Sequence, residues 1–475
     1  MARHLISITS LTLAGLGGCT SVTEPYAPPE LSDRQSGWVV EDSALLVPGA
    51  IENGDWWTDF RDPVLDRLLA AGREGNFDIA EARAGIAAAE AALAQARAAG
   101  RPLGDSNASV TRQLQSEAAA DFGGLPISFD PQTNYSVGTQ ASWEIDLFGR
   151  ISSGVERAEA AFGGREALLA DVSRLTVSQI ATSYVTLREL DARLAVNAAS
   201  LARQEDVLDL TVQLKDLGEV ADLDVLRQRN LVETTRAGLS ALRSARAETL
   251  SALALLTGKT VPEFNAAFPE LASPASTAEP LSAPGPVRVG TPLDMLRRRP
   301  DIRVAERELA ASLAGVEVAR ADLYPTLSLT GSASFSALEV GDLPTGEALG
   351  YSFGPRLSWG VFNLPLTRAR IDQAEAEAEG AAIRFERTVV TALSETDRAM
   401  AQYNLAVEEA VIRARALADA RRALELVEVR YREGEDSLIA LIDTQRQALA
   451  AEEAEAQARH EALRRRIAVF RALGG

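Results

Sequence analysis

The sequence of 475 residues contains a single cysteine, Cys19, and two histidines, His4 and His460. One cysteine allows neither a disulfide framework nor a thiolate metal site, and two histidines offer little for metal binding or acid–base catalysis. The 67 acidic residues outnumber the 48 basic ones, and a formal charge of −19 argues against the basic surface that a nucleic acid partner requires. We therefore expect a protein that is not an enzyme and that uses no metal, cofactor or nucleic acid.

Aromatic residues and long apolar runs are also scarce. Aromatic residues make up 5% of the chain and alanine is frequent, a composition typical of long helices with little globular core. No segment after residue 18 reaches the roughly 18–20 consecutive apolar residues of a membrane-spanning helix. If the chain crosses a membrane, it must therefore do so as a closed β-barrel.

The N-terminus has the features of an export signal. Residues 1–18 combine a basic start, a short apolar run and small residues, which is typical of a secretory signal peptide. The segment Leu-Gly-Gly-Cys at 16–19 resembles a bacterial lipobox, which predicts lipidation of Cys19; an ordinary signal peptide with a chance cysteine is the alternative. Since Thr20 and Ser21 follow, without an aspartate that resembles an inner-membrane retention signal, we expect a lipid-anchored outer-membrane protein that extends into the periplasm.

The chain consists of two related halves. Short motifs of the first half recur in the second half, some at one constant offset and the later ones at a second constant offset. The second offset is shorter by seven residues, which predicts one insertion or deletion between Pro102 and Tyr135. At the first offset, Asp78-Ile79 recurs as Asp301-Ile302, Ala96-Arg97-Ala98 as Ala319-Arg320-Ala321, and Pro102 as Pro325. At the second, Tyr135 recurs as Tyr351, Ser142-Trp143 as Ser358-Trp359, and Gly218-Glu219 as Gly434-Glu435.

The repeat divides the chain into five segments. Residues 1–18 are the predicted signal peptide and residues 19–62 a lipidated N-terminal arm. Residues 63–257 form the first repeat and residues 293–475 the second, while residues 258–292, rich in proline, serine and alanine, are interpreted as a linker. Each repeat is predicted to contain a helix, two strands, a long helix, a tip turn near Gly218 or Gly434, and a final helix.

Four segments alternate between apolar and polar residues with a period of two, which predicts strands. They span about 106–117 and 133–146 in the first repeat and about 326–337 and 349–361 in the second. The first is the weakest because Arg112 interrupts its apolar face. The polar faces consist mostly of serine, threonine and glycine, as suits a water-filled lumen; an ordinary half-buried sheet is the alternative.

Aromatic residues bound the predicted strands at equal spacing in both repeats. Tyr135 and Trp143 lie eight residues apart, and so do Tyr351 and Trp359. Eight strand residues span roughly 26 Å, close to the ~25 Å apolar band that aromatic girdles bound in outer-membrane barrels. We predict that these four residues form such girdles. Four strands cannot close a barrel, so several chains must share one.

The predicted helices are too long for a compact domain. No proline interrupts the helical pattern from Gly149 to about Leu214, a length of roughly 100 Å at 1.5 Å per residue. A seven-residue spacing of apolar residues indicates coiled-coil packing. Because alanine, glycine and serine fill many other faces, the wall of a cylinder is favoured over a solvated dimeric coiled coil. The spaced residues are Ile180, Leu187, Leu194, Leu201 and Leu208, then Leu417, Leu424 and Tyr431.

A set of motifs, in order along the chain, carries a family resemblance. They are Trp56-Trp57-x-x-Phe60-x-Asp62-Pro63-x-Leu65, Trp143-Glu144-Ile145-Asp146-Leu147-Phe148-Gly149-Arg150, Leu296-Arg297-Arg298-Arg299-Pro300-Asp301-Ile302, and Tyr431-x-x-Gly434 followed by Leu441-Ile442-Asp443-x-Gln445-Arg446. Together they resemble the lipoprotein branch of the outer membrane efflux protein family, the TolC-like trimeric exit ducts.

The resemblance implies a mainly α-helical fold with membrane β-strands. Three chains would form a homotrimer that shares one 12-stranded outer-membrane β-barrel, surrounded by outer-membrane lipids and continued by a long periplasmic α-helical barrel. Such a trimer is a passive, gated duct that exports drugs or other small molecules received from an inner-membrane pump and a periplasmic adaptor (membrane fusion protein). A structural periplasmic coiled-coil protein or the adaptor itself is the alternative, although an adaptor would lack two strand pairs with aromatic girdles.

The resemblance also assigns residues at the two tips and at a gate. Gly218 and Gly434 mark the tips that would dock the adaptor; the simpler interpretation is that each glycine supplies positive φ at a helix reversal. The gate residues are Ile439, Asp443 and Arg446 on one helix face, with Asp224 and its expected partner Tyr431 tying neighbouring helices shut.

Two alternatives bear on the gate. Asp443 and Arg446 are also spaced to form an exposed ion pair worth only about 0.2–0.5 kcal/mol. Asp436 occupies a position at which some family members carry a latch arginine, so that particular tie is in doubt.

Overall fold

The computed structural model of the chain describes residues 27, 37–40, 44–49, 55–114, 116, 130–274, 281, 285–343 and 345–475. The predicted signal peptide, Cys19 and most of the predicted arm lie outside these residues. The chain divides into two compact units. One contains the segments Ala88–Phe162 and Arg307–Ile383, and the other contains Gly163–Glu306, Arg384–Gly475 and the described residues from 37 to 87.

The order of helices and strands repeats once along the chain. The first half contains β1 (Leu46–Val47), α1 (Pro63–Gly75), α2 (Phe77–Ala99), β2 (Leu103–Gln113), β3 (Gln132–Ile145), α3 (Arg150–Asp216) and α4 (Asp222–Leu256). A connecting segment contains α5 (Val261–Ala267), α6 (Pro269–Ala272), β4 (Val287–Arg288) and α7 (Pro292–Arg298). The second half contains α8 (Pro300–Ala321), β5 (Thr326–Ala337), β6 (Leu349–Ser358), α9 (Leu364–Arg432) and α10 (Leu438–Ala472). The described chain is thus mainly helical with a few strands, as predicted.

Strands β2, β3, β5 and β6 form one sheet in that order, and each neighbouring pair is antiparallel. The two repeats meet at the centre of the sheet, where Tyr135 lies opposite Ala337. In the β2–β3 pair, Leu103 lies opposite Ser142. The first repeat offset relates position 103 to 326, and the second relates position 142 to 358. Residues 326 and 358 also lie opposite each other, in the β5–β6 pair. The internal repeat is therefore preserved in the geometry of the two hairpins.

The two faces of the sheet differ in polarity, as the alternation predicts. On the polar face, the hydroxyl oxygens of Ser109 and Ser136 lie 2.8 Å apart and those of Ser332 and Ser352 lie 2.9 Å apart. The other face is apolar and is left uncovered by the described residues, unlike the apolar face of an ordinary half-buried sheet. A contiguous exposed apolar face marks a membrane or protein contact. Its exposed side chains are Val110, Val137, Trp143, Phe335, Leu349, Tyr351, Phe353 and Leu357.

The strand bounds depart from the predicted ones in the first and last strands. β2 begins at Leu103 and ends at Gln113, about three to four residues earlier than predicted, because pairing with β3 starts directly after Pro102. β6 ends at Ser358 rather than near 361, because a 3-10 helix starts at Val361. β3 spans Gln132–Ile145, one residue earlier than predicted, and β5 spans the predicted 326–337.

The Trp-Trp motif anchors the first described helical turn on the last helix. Trp56 and Phe60 are buried in a 3-10 helix, and the Trp56 ring stacks on Phe470 of α10 with centroids 5.2 Å apart. One turn earlier in α10, buried Arg466 donates a hydrogen bond of 2.6 Å to Asp59. Ring contacts and an ion pair therefore hold together two segments that lie far apart in the sequence.

Several of the apolar residues with the predicted seven-residue spacing are buried in the long helices. In α3, Ile180, Leu187 and Leu194 are buried, and in α9 Leu417 and Leu424 are buried. Buried side chains at this spacing are those of coiled-coil packing. Among the described helices, none is both long and apolar enough to cross a membrane.

The arginine cluster before α8 is an ion-paired corner. Arg299 is only 3% exposed and donates hydrogen bonds to Asp301 (2.6 Å), Glu395 (3.0 Å) and the carbonyl of Ala472 (3.1 Å). Burial by itself lowers the pKa of this guanidinium, but the two carboxylates raise its pKa above the ordinary value. Asp301 also accepts from the N–H of Ile302 at the start of the helix, where a negative charge is favourable.

Candidate functional site

The first predicted tip is the turn between α3 and α4. Gly218 has a φ of +81°, and its N–H donates to the carbonyl of Lys215 at 2.9 Å. The N–H of Glu219 donates to the carbonyl of Leu214 at 2.9 Å, which completes the helix ending that glycine favours. Lys215 and Asp222 form an ion pair across the turn. A Cβ at Gly218 would meet no atom within 4 Å, so the backbone conformation, and not crowding, requires glycine here.

The second predicted tip, between α9 and α10, repeats this geometry. Gly434 has a φ of +76°, and its N–H donates to the carbonyl of Tyr431 at 3.1 Å. The N–H of Glu435 donates to the carbonyl of Arg430 at 2.8 Å. The Arg430 guanidinium also donates to Asp436 at 2.8 Å. Asp436 is therefore paired within its own hairpin.

The two tips differ in their exposed side chains. The first tip exposes three leucines, Leu217, Leu223 and Leu226, and Leu217 is 76% exposed. The second tip, which like the first carries an ion pair at its turn, exposes Ile439. Leu217 lies within the predicted tip, whereas Leu223 and Leu226 were not predicted from the sequence, although Leu223 is related to Ile439 by the second repeat offset.

The three predicted gate residues of α10 are brought together on one exposed face. Ile439, Asp443 and Arg446 are exposed, whereas Leu438 and Ile442 are buried in an apolar cluster. In the described chain no ion pair joins Asp443 to Arg446, so the local pair considered from their spacing is not formed. The exposed face thus carries one acidic, one basic and one apolar side chain.

The structure does not bring Asp224 and Tyr431 together within the chain. Asp224 pairs with Arg227 of its own helix at 3.4 Å. Tyr431 packs beside the apolar cluster around Leu438 and Ile442, and its hydroxyl is buried without a hydrogen-bond partner among the described residues. The predicted Asp224–Tyr431 pairing is therefore absent inside one chain, where Asp224 pairs with Arg227 and Tyr431 packs against the apolar cluster.

Trp143 and Trp359 make the same hydrogen bond in the two repeats. The indole N–H of Trp143 donates to the carbonyl of Gly100 at 3.0 Å, just after α2. The indole N–H of Trp359 donates to the carbonyl of Leu323 at 3.1 Å, just after α8. Both indoles are exposed at one end of the apolar face, and this combination of an apolar body with a bonded polar tip suits a membrane–water boundary.

The two predicted girdle tyrosines lie at the other end of the apolar face. Tyr135 lies opposite Ala337 and is half-buried, whereas Tyr351 lies opposite Ala333 and is 82% exposed. Their partners on β5 differ by four residues, a stagger of the kind that tilted strands produce.

A cap and an ion pair hold the junction between β3 and α3. Asp146 accepts hydrogen bonds from the N–H groups of residues 151 and 152 at 3.1 and 2.8 Å. Burial raises the pKa of this carboxyl, but the hydrogen bonds outweigh burial and hold the pKa below its usual value. Glu144 binds Arg150 through two hydrogen bonds of 2.8 and 2.5 Å, and Gly149 supplies the positive φ of +79° at the turn. The role of this motif is therefore to fix the start of the long helix.

His460 is buried in α10. Its Nδ1 lies 2.7 Å from the carbonyl oxygen of Ala456, one turn earlier. Burial, aided by the nearby positive charges of Arg459 and Arg464, lowers the pKa of His460 to about 4. The imidazole is therefore neutral at neutral pH and is part of the buried interior of the protein.

The sequence matches the family described as outer membrane efflux protein over residues 68–259 and 292–475. A similar protein is the toluene efflux pump outer membrane protein TtgF of Pseudomonas putida, 29% identical over all of this chain and 97% of its own. Another is the pyoverdine export outer membrane protein OpmQ of Pseudomonas aeruginosa, 30% identical over all of this chain and 97% of its own.

The fold is similar to solved outer-membrane channels. The outer-membrane channel OprN superposes with a TM-score of 0.84 at 32% sequence identity, over 96% of this chain and 99% of that one. The open-state MtrE channel of Neisseria gonorrhoeae superposes with a TM-score of 0.76 at 24% identity, over 96% of this chain and 98% of that one.

Proposed function

Because the chain belongs to the outer membrane efflux protein family, we propose that three copies of it form the outer-membrane exit duct of a tripartite efflux system. The family and the relatives are channel and transport proteins. The duct is passive: an inner-membrane pump and a periplasmic adaptor supply the energy and the cargo, and the duct itself catalyses no reaction. Its cargo consists of drugs or other small molecules.

The open edges of the sheet are the observation that carries this proposal. β2 and β6 have no strand partner on their outer sides in the described chain, and they run in opposite directions. Joining β6 of one copy to β2 of the next therefore continues the antiparallel pattern. Unpaired backbone groups are not tolerated next to lipid, so a sheet with an exposed apolar face gains most by closing on itself. Three copies supply twelve strands.

The polarity of the sheet agrees with a duct. Closure with the apolar side outward places the aromatic residues and valines against lipid and the serine-rich side around a water-filled lumen. The indoles of Trp143 and Trp359 then lie at one lipid boundary, as proposed for the girdle.

The tips and the exposed face of α10 complete the proposed duct. The hairpin ends at Gly218 and Gly434 are the proposed docking points for the adaptor, and Ile439, Asp443 and Arg446 the proposed constriction. Since Asp224 and Tyr431 are not paired within a chain, we place their proposed contact between neighbouring chains.

A purified-protein experiment tests the proposal. The detergent-extracted protein should have about three times the 50.6 kDa mass of the chain and should form large-conductance channels in a planar bilayer. Deleting the gene should raise the intracellular accumulation of exported drugs, and the wild-type gene should restore export. A soluble periplasmic monomer, or a trimer without conductance, would contradict the proposal.

A further inference from the structure

Ionisable residues are rare on the polar face of the sheet. In the four described strands only Asp105, Glu144 and Arg356 carry a charge on that face. Glu144 is neutralised by Arg150, with hydrogen bonds of 2.8 and 2.5 Å. Asp105 accepts hydrogen bonds from the amide of Gln140 at 3.1 and 3.2 Å. Asp105 keeps its negative charge, because an amide is neutral, and Arg356 is the one cation of this face that contacts no carboxylate in the described strands.

Arg356 has no counter-charge within the described chain. Its side chain is exposed and takes part in no ion pair there. It lies on β6 opposite Ser328, which in turn lies opposite Glu144 on β3. Since Glu144 already binds Arg150 through both carboxylate oxygens, it is not free to neutralise a second guanidinium.

The internal repeat shows what the neighbouring copy places beside Arg356. Both hairpins share one register, so the β3–β5 pairing should also describe the pairing of β6 with β2 of the next copy. Gln140 lies opposite Ser332 in the chain. By the second repeat offset Gln140 corresponds to Arg356, and by the first Ser332 corresponds to Ser109. Arg356 should therefore lie opposite Ser109 of the neighbouring copy. The same conversion places apolar-face residues opposite each other, as a correct register must.

The neighbouring copy therefore supplies no carboxylate at this level. The residues flanking Ser109 on the polar face of β2 are Asn107 and Thr111, both neutral. Asp105 lies four residues from Ser109, about 13 Å along the strand. That distance exceeds the Debye length of about 10 Å at 0.1 M salt, so Asp105 screens Arg356 only weakly.

We propose that Arg356 is an anion-binding position in the wall of the duct, at which solutes that bear carboxylate or phosphate groups are held as they pass. This inference rests on the proposed function, because three copies of the chain are needed to place three Arg356 side chains in a ring around the lumen. Rings of arginine or lysine favour anions in pores, and the planar guanidinium binds carboxylate and phosphate through paired hydrogen bonds. The closed sheet thereby gains a preference for anionic cargo that the net negative charge of the chain does not suggest.

The dimensions allow the ring to act on the whole lumen. Twelve strands about 4.8 Å apart and tilted by about 40° give a backbone diameter of roughly 24 Å. The axis is then roughly 12 Å from the backbone, comparable with the Debye length of about 10 Å at 0.1 M salt. Three guanidinium groups that reach inward from this wall should therefore change the ion concentrations along the axis.

Single-channel recording in a potassium chloride gradient near 0.1 M tests the assignment. The measurements are made in an Asp443→Ala background, so that the acidic residue proposed at the tip does not dominate selectivity. Arg356→Gln should lower the ratio of chloride to potassium permeability by about twofold or more. Inorganic tripolyphosphate, the anionic probe, should reduce the current of the parent channel and leave the Arg356→Gln channel unaffected.

Two variants serve as controls. Arg356→Lys keeps the charge and should retain the parent permeability ratio. Arg112→Gln removes another exposed arginine, from the apolar side of β2, and should leave the ratio unchanged. Equal permeability ratios in Arg356→Gln and the parent, with intact trimers, would overturn the assignment, and so would an equal shift in Arg112→Gln. A parent protein that forms no trimeric channel would instead overturn the proposed function.

Discussion

Tyr184 donates its hydroxyl hydrogen to Asp62 at a distance of 2.6 Å, and these two residues are 122 positions apart. Tyr184 is 1% exposed, so its hydroxyl has exchanged water for this carboxylate. The other oxygen of Asp62 caps α1 by accepting from the N–H groups of residues 64 and 65 at 2.9 and 3.3 Å. One carboxylate therefore satisfies a helix end and a buried phenol at once.

Asp62→Ala should remove about 2–4 kcal/mol of stability, since it deletes a helix cap and leaves a buried hydroxyl unpaired. The thermal unfolding midpoint of the purified trimer checks this expectation. Asp66→Ala, an exposed change in the same helix, is the matched control and should change the midpoint little. Tyr184→Phe keeps the helix cap and should therefore reduce stability less than Asp62→Ala does. A larger loss of stability in Tyr184→Phe would contradict the double role of Asp62.

His460 should make the protein less stable as the pH falls. The pKa of this imidazole drops from an ordinary 6.5 to about 4 in the folded chain, because burial disfavours the charged form. Between these pH values the unfolded chain binds a proton that the folded chain does not. Stability is therefore full above pH 6.5 and is progressively lost down to about pH 4, by about 3 kcal/mol for each chain.

Unfolding midpoints of the wild type and of His460→Gln, measured from pH 7.5 to pH 4.5, test this pH dependence. The substituted protein lacks the titrating group and should lose less stability over the range. Parallel curves for the two proteins would show that other groups cause the acid sensitivity.

Gly218 and Gly434 should be required for efflux and dispensable for assembly. Replacement of either by valine forces a branched side chain into a left-handed conformation, at a cost of about 1–2 kcal/mol confined to the tip. We expect Gly218→Val and Gly434→Val trimers that no longer support drug resistance. Asparagine tolerates this conformation, so Gly218→Asn should retain function. Unchanged resistance in both valine variants would remove the docking assignment.

Asp443 should make the closed duct cation-selective. In the proposed trimer, three-fold symmetry would bring three copies of this exposed carboxylate near one axis, and like charges repel unless cations bind between them. Multivalent cations added from the periplasmic side should block the current, and Asp443→Ala should relieve the block. Asp224→Ala or Tyr431→Phe should raise the resting conductance. An Asp443→Ala channel with wild-type selectivity and block would refute the assignment.

Cys19 should carry the lipid anchor. Mass spectrometry of the mature N-terminal peptide should find an acylated cysteine as its first residue, and an unmodified N-terminus would contradict lipidation. Cys19→Ser should still assemble in the outer membrane. Acyl chains contribute about 0.8 kcal/mol for each buried CH₂ group, and the proposed membrane sheet would anchor the protein without them.

Local periodicity and the repeat were sufficient to predict much of the fold. The alternation from Tyr135 to Ile145 fixed which residues share a face, and the seven-residue spacing through Ile180 and Leu187 fixed a buried stripe. The start of β2 was predicted too late because backbone pairing with β3, and not the alternation of side chains, decides where the strand begins.

Other features depend on contacts between segments far apart in the sequence. No local pattern shows that Asp62 meets Tyr184, or that the carbonyl of Ala472 accepts from Arg299. The same limit applies to the gate. The spacing of Ile439, Asp443 and Arg446 predicts their common face. Contact between Asp224 and Tyr431 depends instead on how helices α3, α4, α9 and α10 pack, which the spacing does not show.

The central β3–β5 pairing, where the two repeats meet, has a consequence for the ancestry of the chain. A chain of half this length would need six copies to supply the twelve strands of the proposed trimer, each joined to the next by association alone. Fusion of two such genes replaces every second junction by a covalent connection, which makes that pairing independent of protein concentration. It also allows the sequences of the two halves to diverge, including those of the two tips. One tip displays the exposed Leu217 at a position of the repeat where the other tip has Glu433.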